Sequence, residues 1–99
     1  MNSITNISLS GMQAAQARLQ TSAHNIANMN TGGFHRQEVV LQAGAGGGID
    51  TSTVRQTEAG GSLEQDVVQL LEAKNAFLAN LAVFKRSNDA MGSLLDSKA

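Results

Sequence analysis

Apolar residues between positions 3 and 29 recur at the spacing of an α-helix. Met12, Leu19 and Ile26 stand seven residues apart, which places them on one face of a helix. Alanine, the strongest helix former, fills many of the positions between them, and the chain has no proline that would interrupt the helix. We therefore predict an N-terminal helix over residues 3–29.

The C-terminal third carries the longest regular apolar pattern, whose positions step by alternating fours and threes. This is the heptad spacing of a helix that packs against other helices. The positions are Leu63, Val67, Leu70, Lys74, Phe77, Leu81, Phe84, Asn88, Met91 and Leu95. The polar Lys74 and Asn88 either fix the register of a partner helix or point toward solvent. We predict a helix over residues 63–97 that packs against the first one.

A second apolar edge runs along the same predicted helix. It consists of Val68, Leu71, Leu78 and Leu94. A helix with two apolar edges usually contacts more than one neighbour.

Residues 30–62 have a different character, because two β-branched stretches flank glycine-rich segments. "FHRQEVVLQ" and "TSTVRQT" have the composition of short strands, and "GAGGGID" between them has that of a turn. We expect two short extended stretches in the arrangement of a β-hairpin. The whole chain, residues 1–99, is then a single mainly α domain with two long helices and a short glycine-rich connector.

Composition limits what this domain can bury. Apolar residues make up 41% of the chain, but many are alanine, and the only aromatic residues are three phenylalanines. Small domains bury proportionally little of their surface. We therefore expect self-assembly or a partner to contribute to stability.

Charge and cysteine content exclude several classes of function. The formal net charge is −1, and we expect no nucleic-acid partner because no basic patch is visible. Without cysteine there are no disulfides and no thiolate metal sites. We expect no membrane insertion, since no apolar run reaches about 18 residues. The N-terminus also lacks the features of a cleaved signal peptide.

The residues that could carry chemistry form no recognisable site. His24 and His35 are the only histidines, and neither a cysteine nor a nearby carboxylate completes a metal set. "GAGGG" lacks the Gly-Lys-Ser/Thr that follows in a phosphate-binding loop. We predict no catalytic residue, no metal, no cofactor and no small-molecule ligand.

The stretch "NIANMNTGGFHRQ", residues 25–37, ends the first helix. Asparagine and glycine tolerate left-handed backbone, and Asn and Thr side chains bond neighbouring backbone groups in tight turns. We predict a helix stop, a left-handed turn and an apolar anchor at Phe34. Gly33 is a candidate for the left-handed residue, and Asn30 and Gly32 are the alternatives. We call these residues the joint: Asn25, Ile26, Ala27, Asn28, Asn30, Thr31, Gly33 and Phe34.

Residues 10–37, "SGMQAAQARLQTSAHNIANMNTGGFHRQ", resemble the N-terminal signature of the bacterial flagellar axial proteins, which are the rod, hook and hook-associated proteins. The matching positions are Ser10, Gly11, Ala14, Leu19, Asn25, Ile26, Ala27, Asn28, Asn30, Thr31, Gly33, Phe34 and Arg36. Residues 66–96 resemble the closing helix of the same family. Its matches are Val67, Ala73, Phe77, Ala79, Asn80, Val83, Met91, Leu94 and Leu95.

The resemblance implies a structural role in motility and no enzymatic reaction. Family members pack their terminal helices as an antiparallel coiled coil that lines the flagellum, so the expected partners are copies of this chain and other flagellar axial proteins. They pass unfolded through the flagellar type III export apparatus without a cleaved signal peptide. The expected location is the periplasm-spanning basal-body rod or the hook.

The helix residues that carry assembly on this interpretation form what we call the assembly seam. They are Met12, Leu19, Ile26, Leu63, Val67, Leu70, Phe77, Leu81, Phe84, Met91 and Leu95. Family members usually carry one or more β-rich outer domains between the helices, whereas here the middle, residues 30–62, is reduced to about 33 residues. The alternative function is a stand-alone helical-hairpin interaction module, such as an adaptor, chaperone or regulator.

Overall fold

The computed structural model describes residues 2–98 and contains two long helices joined by a β-hairpin. Helix α1 spans Asn2–Asn28, strand β1 His35–Ala43, strand β2 Ile49–Ala59 and helix α2 Leu63–Lys98. A single 3-10 turn at Ala45–Gly47 connects the strands. The prediction of a mainly helical chain with a short hairpin in its middle is confirmed.

The two helices lie side by side and run antiparallel. Asn25 contacts Asp66, with 3.2 Å between Nδ2 and Oδ1. Farther along, Arg18 contacts Glu72 at 3.2 Å, and Gly11 lies against the side chain of Asn80. In these three contacts the α1 residue number falls as the α2 residue number rises, so the two helices are antiparallel. A coiled-coil supercoil of this pair stays a prediction.

Small and polar side chains, not large apolar ones, form the line along which the helices meet. On α2 this contact line passes through residues seven positions apart: Asp66, Ala73, Asn80 and Ser87. On α1 it includes an equally spaced buried series: Ser8, Ala15 and Ser22. Side chains of this size allow helix axes to approach closely.

The molecule buries little apolar side chain. Among the described residues the buried hydrophobic ones are Met12, Ala14, Ala15 and Ala73. The molecule measures 63 × 24 × 14 Å, so its thin dimension is close to one helix diameter, about 10–12 Å. Most side chains therefore have solvent on at least one side, and the expectation of a thin core is confirmed.

The assembly-seam residues fall into three groups by exposure. Met12 is buried. Leu63, Val67 and Leu95 are exposed. The remaining members are half-buried: Leu19, Ile26, Leu70, Phe77, Leu81, Phe84 and Met91. Lys74 and Asn88 are exposed, so within one chain they point toward solvent.

The heptad pattern did not identify the contact line because it follows the large apolar residues. The half-buried Leu70, Phe77, Phe84 and Met91 lie four positions after the members of that line, which places them beside it on the helix surface. The residues of α2 that pack most closely against α1 are Asp66 and the small residues at seven-residue spacing after it.

The hairpin is antiparallel and is attached to α1. Its register pairs Gln37 with Arg55 and Ala43 with Ile49. Near the tip, Ser10 Oγ accepts a hydrogen bond from Ile49 N at 2.6 Å and donates one to Ile49 O at 3.0 Å. One helix side chain thus satisfies both backbone groups of a strand residue.

Within residues 2–98, one helix is long and apolar enough to cross a membrane by length and composition. It is the Leu63–Asp96 part of α2, whose mean hydropathy reaches 1.3. The sequence expectation was based on unbroken apolar runs, whereas a window average also admits an amphipathic helix. Only 6% of this window is buried within the chain.

The close helix approach at Gly11 gives a stability test. A Cβ added there would lie 2.6 Å from Asn80 Oδ1, and the Asn80 amide is held by a 2.9 Å hydrogen bond to Ala76 O. We expect Gly11→Ala to lower the free energy of unfolding, because overpacking costs about 1–3 kcal/mol and alanine contributes only about 1 kcal/mol of helix propensity. Urea unfolding followed by circular dichroism measures the change.

The matched control is Gly92→Ala on α2, where nothing lies within 4 Å of the added Cβ. It should raise the free energy of unfolding by up to about 1 kcal/mol. Equal gains from both substitutions would contradict the close approach of the helices at Gly11.

Candidate functional site at the joint

Three parts of the chain meet in a buried polar cluster. Asn25 comes from the last turns of α1, Arg36 from β1 and Asp66 from the first turn of α2. Asn25 and Asp66 have 0% exposed surface and Arg36 has 7%. We call these three residues the joint cluster. It connects both helices and the hairpin at one end of the molecule.

Arg36 and Asp66 form a buried ion pair with several hydrogen bonds. Arg36 Nε lies 3.1 Å from each carboxylate oxygen of Asp66, and Nη2 also donates to Oδ1. On its other side, Arg36 Nη1 lies 3.4 Å from Glu38 Oε1. Hydrogen bonding to Asp66 raises the pKa of Arg36 above its ordinary value, although burial alone would lower that pKa. The guanidinium therefore stays charged inside the protein.

Asn25 uses its amide to bind both the strand and the ion pair. Its Nδ2 donates to Gln37 O at 2.8 Å and its Oδ1 accepts from Gln37 N at 2.9 Å. The same Nδ2 lies 3.2 Å from Asp66 Oδ1. A short amide side chain supplies the donor and the acceptor together. Asn25 thus acts on Gln37 as a neighbouring strand would.

Two α1 side chains therefore hold the hairpin at its two ends. Asn25 holds β1 near its start, and Ser10 holds β2 at Ile49 near the tip. Each makes a reciprocal pair of hydrogen bonds with one strand residue. This arrangement fixes the hairpin along α1 with few apolar contacts.

A strand irregularity accompanies Arg36. The pairing shifts from His35–Ala59 to Gln37–Arg55, so the partner strand has two extra residues opposite Arg36. His35 Nδ1 lies 2.9 Å from Gln56 O and supports this looped part of β2. Such irregularities bend a strand locally and redirect its side chains.

Hydrogen bonds and one aromatic contact close the turn after α1. Thr31 N donates to Asn28 O at 2.9 Å, and Phe34 N donates to Thr31 O at 3.2 Å. Asn28 Nδ2 donates to His24 O at 2.9 Å. The Phe34 ring meets the His24 ring edge-on, with 5.8 Å between their centroids. Phe34 thus folds back onto the helix end.

The joint residues predicted from the sequence occupy different environments. Asn25 belongs to the joint cluster, and Asn28, Thr31, Gly33 and Phe34 form the turn. Ile26 is half-buried, and Ala27 and Asn30 are exposed.

Sequence reasoning did not assign the cluster roles of Arg36 and Asp66. Arg36 lies in a polar strand, and Asp66 resembles an ordinary acidic residue in the first turn of a helix. The available signal was the spacing of Asp66, Ala73, Asn80 and Ser87, which share one face of α2. Among residues 2–98, no group of three or more His, Asp or Glu residues could hold a metal ion.

The buried ion pair predicts a large effect of one isosteric substitution. Asp66→Asn removes the charge that compensates Arg36, and breaking a buried pair from one side costs about 3–5 kcal/mol. We expect that loss in the free energy of unfolding, or loss of the helical circular dichroism signal. The control is Glu72→Gln in the exposed pair with Arg18, which should cost less than about 1 kcal/mol. Similar effects of the two variants would show that the cluster does not determine stability.

Because of the turn geometry, we expect alanine substitutions at two adjacent glycines to differ in their effect on stability. Gly33 has φ of 73°, whereas Gly32 is not among the glycines with positive φ, and an added Cβ meets nothing within 4 Å at either position. Gly33→Ala should cost about 1–2 kcal/mol, because an L-residue is strained in the left-handed region. Gly32→Ala should be nearly neutral in the same thermal unfolding measurement. Equal effects would contradict the assignment of the turn to Gly33.

Comparison with known proteins relates part of this sequence to proteins of the flagellum. Residues 6–35 match the family model described as flagella basal body rod protein. The flagellar hook-associated protein 1 of Salmonella typhimurium and that of Salmonella typhi are each 48% identical to the chain over 54 residues, which is 50% of this chain. The chain spans 10% of the length of these relatives. Over the matched residues the chain is therefore similar to flagellar rod and hook-associated proteins, which belong to the flagellar axial proteins.

Proposed function

We propose that the chain is a structural subunit of the flagellar basal-body rod or hook axis, and that it assembles through its two helices with copies of itself and other axial proteins. One observation carries the proposal, which is the apolar surface that α2 leaves exposed. Its exposed large hydrophobic residues are Leu63, Val67, Val68, Leu71, Leu78, Val83, Leu94 and Leu95.

Part of this surface faces away from the rest of the chain. Leu71 and Leu78 come five positions after Asp66 and Ala73 of the contact line, which is about 140° around the helix. They are 54% and 50% exposed. Fully burying a leucine contributes about 1.5–3 kcal/mol. Neighbouring subunits that cover several of these residues would supply the apolar burial that one thin chain lacks.

The joint cluster has a definite role in such an assembly. A repeating structure requires every subunit to present the same surfaces in the same orientation. The Arg36–Asp66 pair and the Asn25 amide fix both helices and the hairpin relative to one another. In this proposal the joint residues act as a rigid connection, and the assembly seam supplies contacts between subunits.

The exposed surface of α2 suits protein better than lipid. The opposite face of the helix is polar, and its Asp66 is tied to the Arg36 guanidinium and the Asn25 amide. An α2 that entered a bilayer would either leave Arg36 behind or carry the charged pair with it, and ionisable residues inside a membrane are costly. We therefore assign the apolar face to helix packing and propose no membrane insertion.

The remaining parts of the proposal rest on the similarity to flagellar axial proteins. The role is structural, with no reaction, cofactor or small-molecule ligand. Export uses the flagellar apparatus without a cleaved signal peptide, and the location is the rod or the hook of the flagellum. The support for these parts is the match to rod and hook-associated proteins.

A paired substitution tests whether the outer face of α2 drives association. We expect Leu71→Glu with Leu78→Glu to leave the helical circular dichroism unchanged, because both side chains are exposed. The variant should fail to form the larger species seen for the unaltered chain in a sedimentation-velocity concentration series. The matched control is Gln13→Glu with Gln20→Glu, which places two charges at the same spacing on exposed positions of α1.

Association that survives the leucine substitutions would contradict assembly through this face. In cells, motility and recovery of the chain in purified basal bodies test the flagellar role. Normal motility without the gene, together with capture of the chain by a non-flagellar helical protein, would favour the alternative interaction module.

A further inference from the structure

We propose that a cleft beside the joint receives the carboxylate of Asp96 from a second copy, so that subunits meet head to tail. This contact rests on the proposed function, since it joins copies of one chain. It is carried by two features at opposite ends of the molecule: a cleft that offers hydrogen-bond donors and lacks acids, and a projecting helix end that carries a carboxylate.

The cleft encloses about 310 Å³ next to the turn after α1. Its lining includes His24, His35 and Arg55, together with the polar side chains of Thr31 and Gln37, and contains no acidic residue. Arg55 is exposed and belongs to none of the ion pairs found within residues 2–98. A carboxylate is the natural partner for an unpaired guanidinium, which can bind it with two parallel hydrogen bonds.

The hydrogen bonds of the two histidines show which ring nitrogens can donate a hydrogen bond to a ligand in the cleft. Asn28 Nδ2 lies 3.3 Å from His24 Nδ1, and because an amide nitrogen only donates, the neutral His24 ring carries its proton on Nε2. His35 Nδ1 donates to Gln56 O at 2.9 Å. His24 Nε2–H and the Arg55 guanidinium are therefore donors without a carboxylate in this cleft.

The opposite end of the molecule carries a projecting helix. Helix α2 has 36 residues and α1 has 27. Because Gly11 lies against Asn80 and Asn25 against Asp66, the start of α1 at Asn2 lies beside residue 89. The last turns of α2 extend beyond it by about 13 Å at 1.5 Å per residue.

Asp96 is the charged side chain on the described part of this projection, residues 90–96, and it is exposed. It belongs to none of the ion pairs found within residues 2–98. A projection at one end and a cleft at the other form a heterologous contact, which does not close a two-fold dimer and repeats into an open helical filament when its rotation does not close a ring. That geometry agrees with an axial subunit.

Charge reversal in the full chain tests the contact. Arg55→Asp and Asp96→Arg should each weaken association about tenfold, measured by sedimentation velocity at low ionic strength. The double variant restores the opposite charges in exchanged positions and should recover most of the association. Circular dichroism should show unchanged helicity in all three variants, because both side chains are exposed.

Asp89→Arg is the matched control, since Asp89 lies seven positions before Asp96 on the same helix face but beside α1. It should associate like the unaltered chain. The contact would be overturned if the Arg55→Asp variant associated as strongly as the unaltered chain. It would also be overturned if the double variant associated no more strongly than the single variants. An effect of Asp89→Arg equal to that of Asp96→Arg would overturn the assignment to Asp96. An unaltered chain that stays monomeric at every concentration would instead reject the proposed self-assembly, and this contact with it.

Discussion

The buried pair of Arg36 and Asp66 is the interaction on which the rest of the structure depends. The two residues lie 30 positions apart in the chain and join the hairpin to the start of α2, while Asn25 adds the end of α1. A buried charge without its partner is strongly unfavourable. The three parts of the chain must therefore come together as one unit, although few apolar side chains hold them.

The consequence is a thin molecule whose arrangement is specified by polar contacts. Asn25 and Ser10 bind the hairpin by satisfying the backbone of Gln37 and Ile49. Small residues along the contact line let the helices approach closely. Apolar side chains that would form the core of an ordinary domain remain on the outside of α2. This distribution agrees with a chain that completes its burial against neighbouring subunits, as proposed for the flagellar axis.

Several local features could be predicted from the sequence because they depend on neighbouring residues. Periodicity located both helices, and the glycine-rich segment between β-branched stretches located the hairpin. A left-handed turn after α1 and the fold-back of Phe34 follow from the chemistry of a short turn, whereas the choice of Gly33 over Asn30 and Gly32 came from the structure. The contact line was not predicted, because apolar periodicity favours Phe77 and Leu81 over Ala73 and Ser87. Arg36 and Asp66 look like ordinary polar residues until they are placed side by side.

By itself, the sequence determined the type and order of the elements, the stop at the end of α1 and the resemblance to axial proteins. These properties depend on propensity and spacing within a few turns of chain. Only the tertiary structure decided which face of α2 meets α1, which side chains hold the hairpin and which charge compensates Arg36. Each of these depends on residues far apart in the chain that meet in space. The cost of burying a polar group without a partner then favours the arrangement in which Asn25, Arg36 and Asp66 satisfy one another.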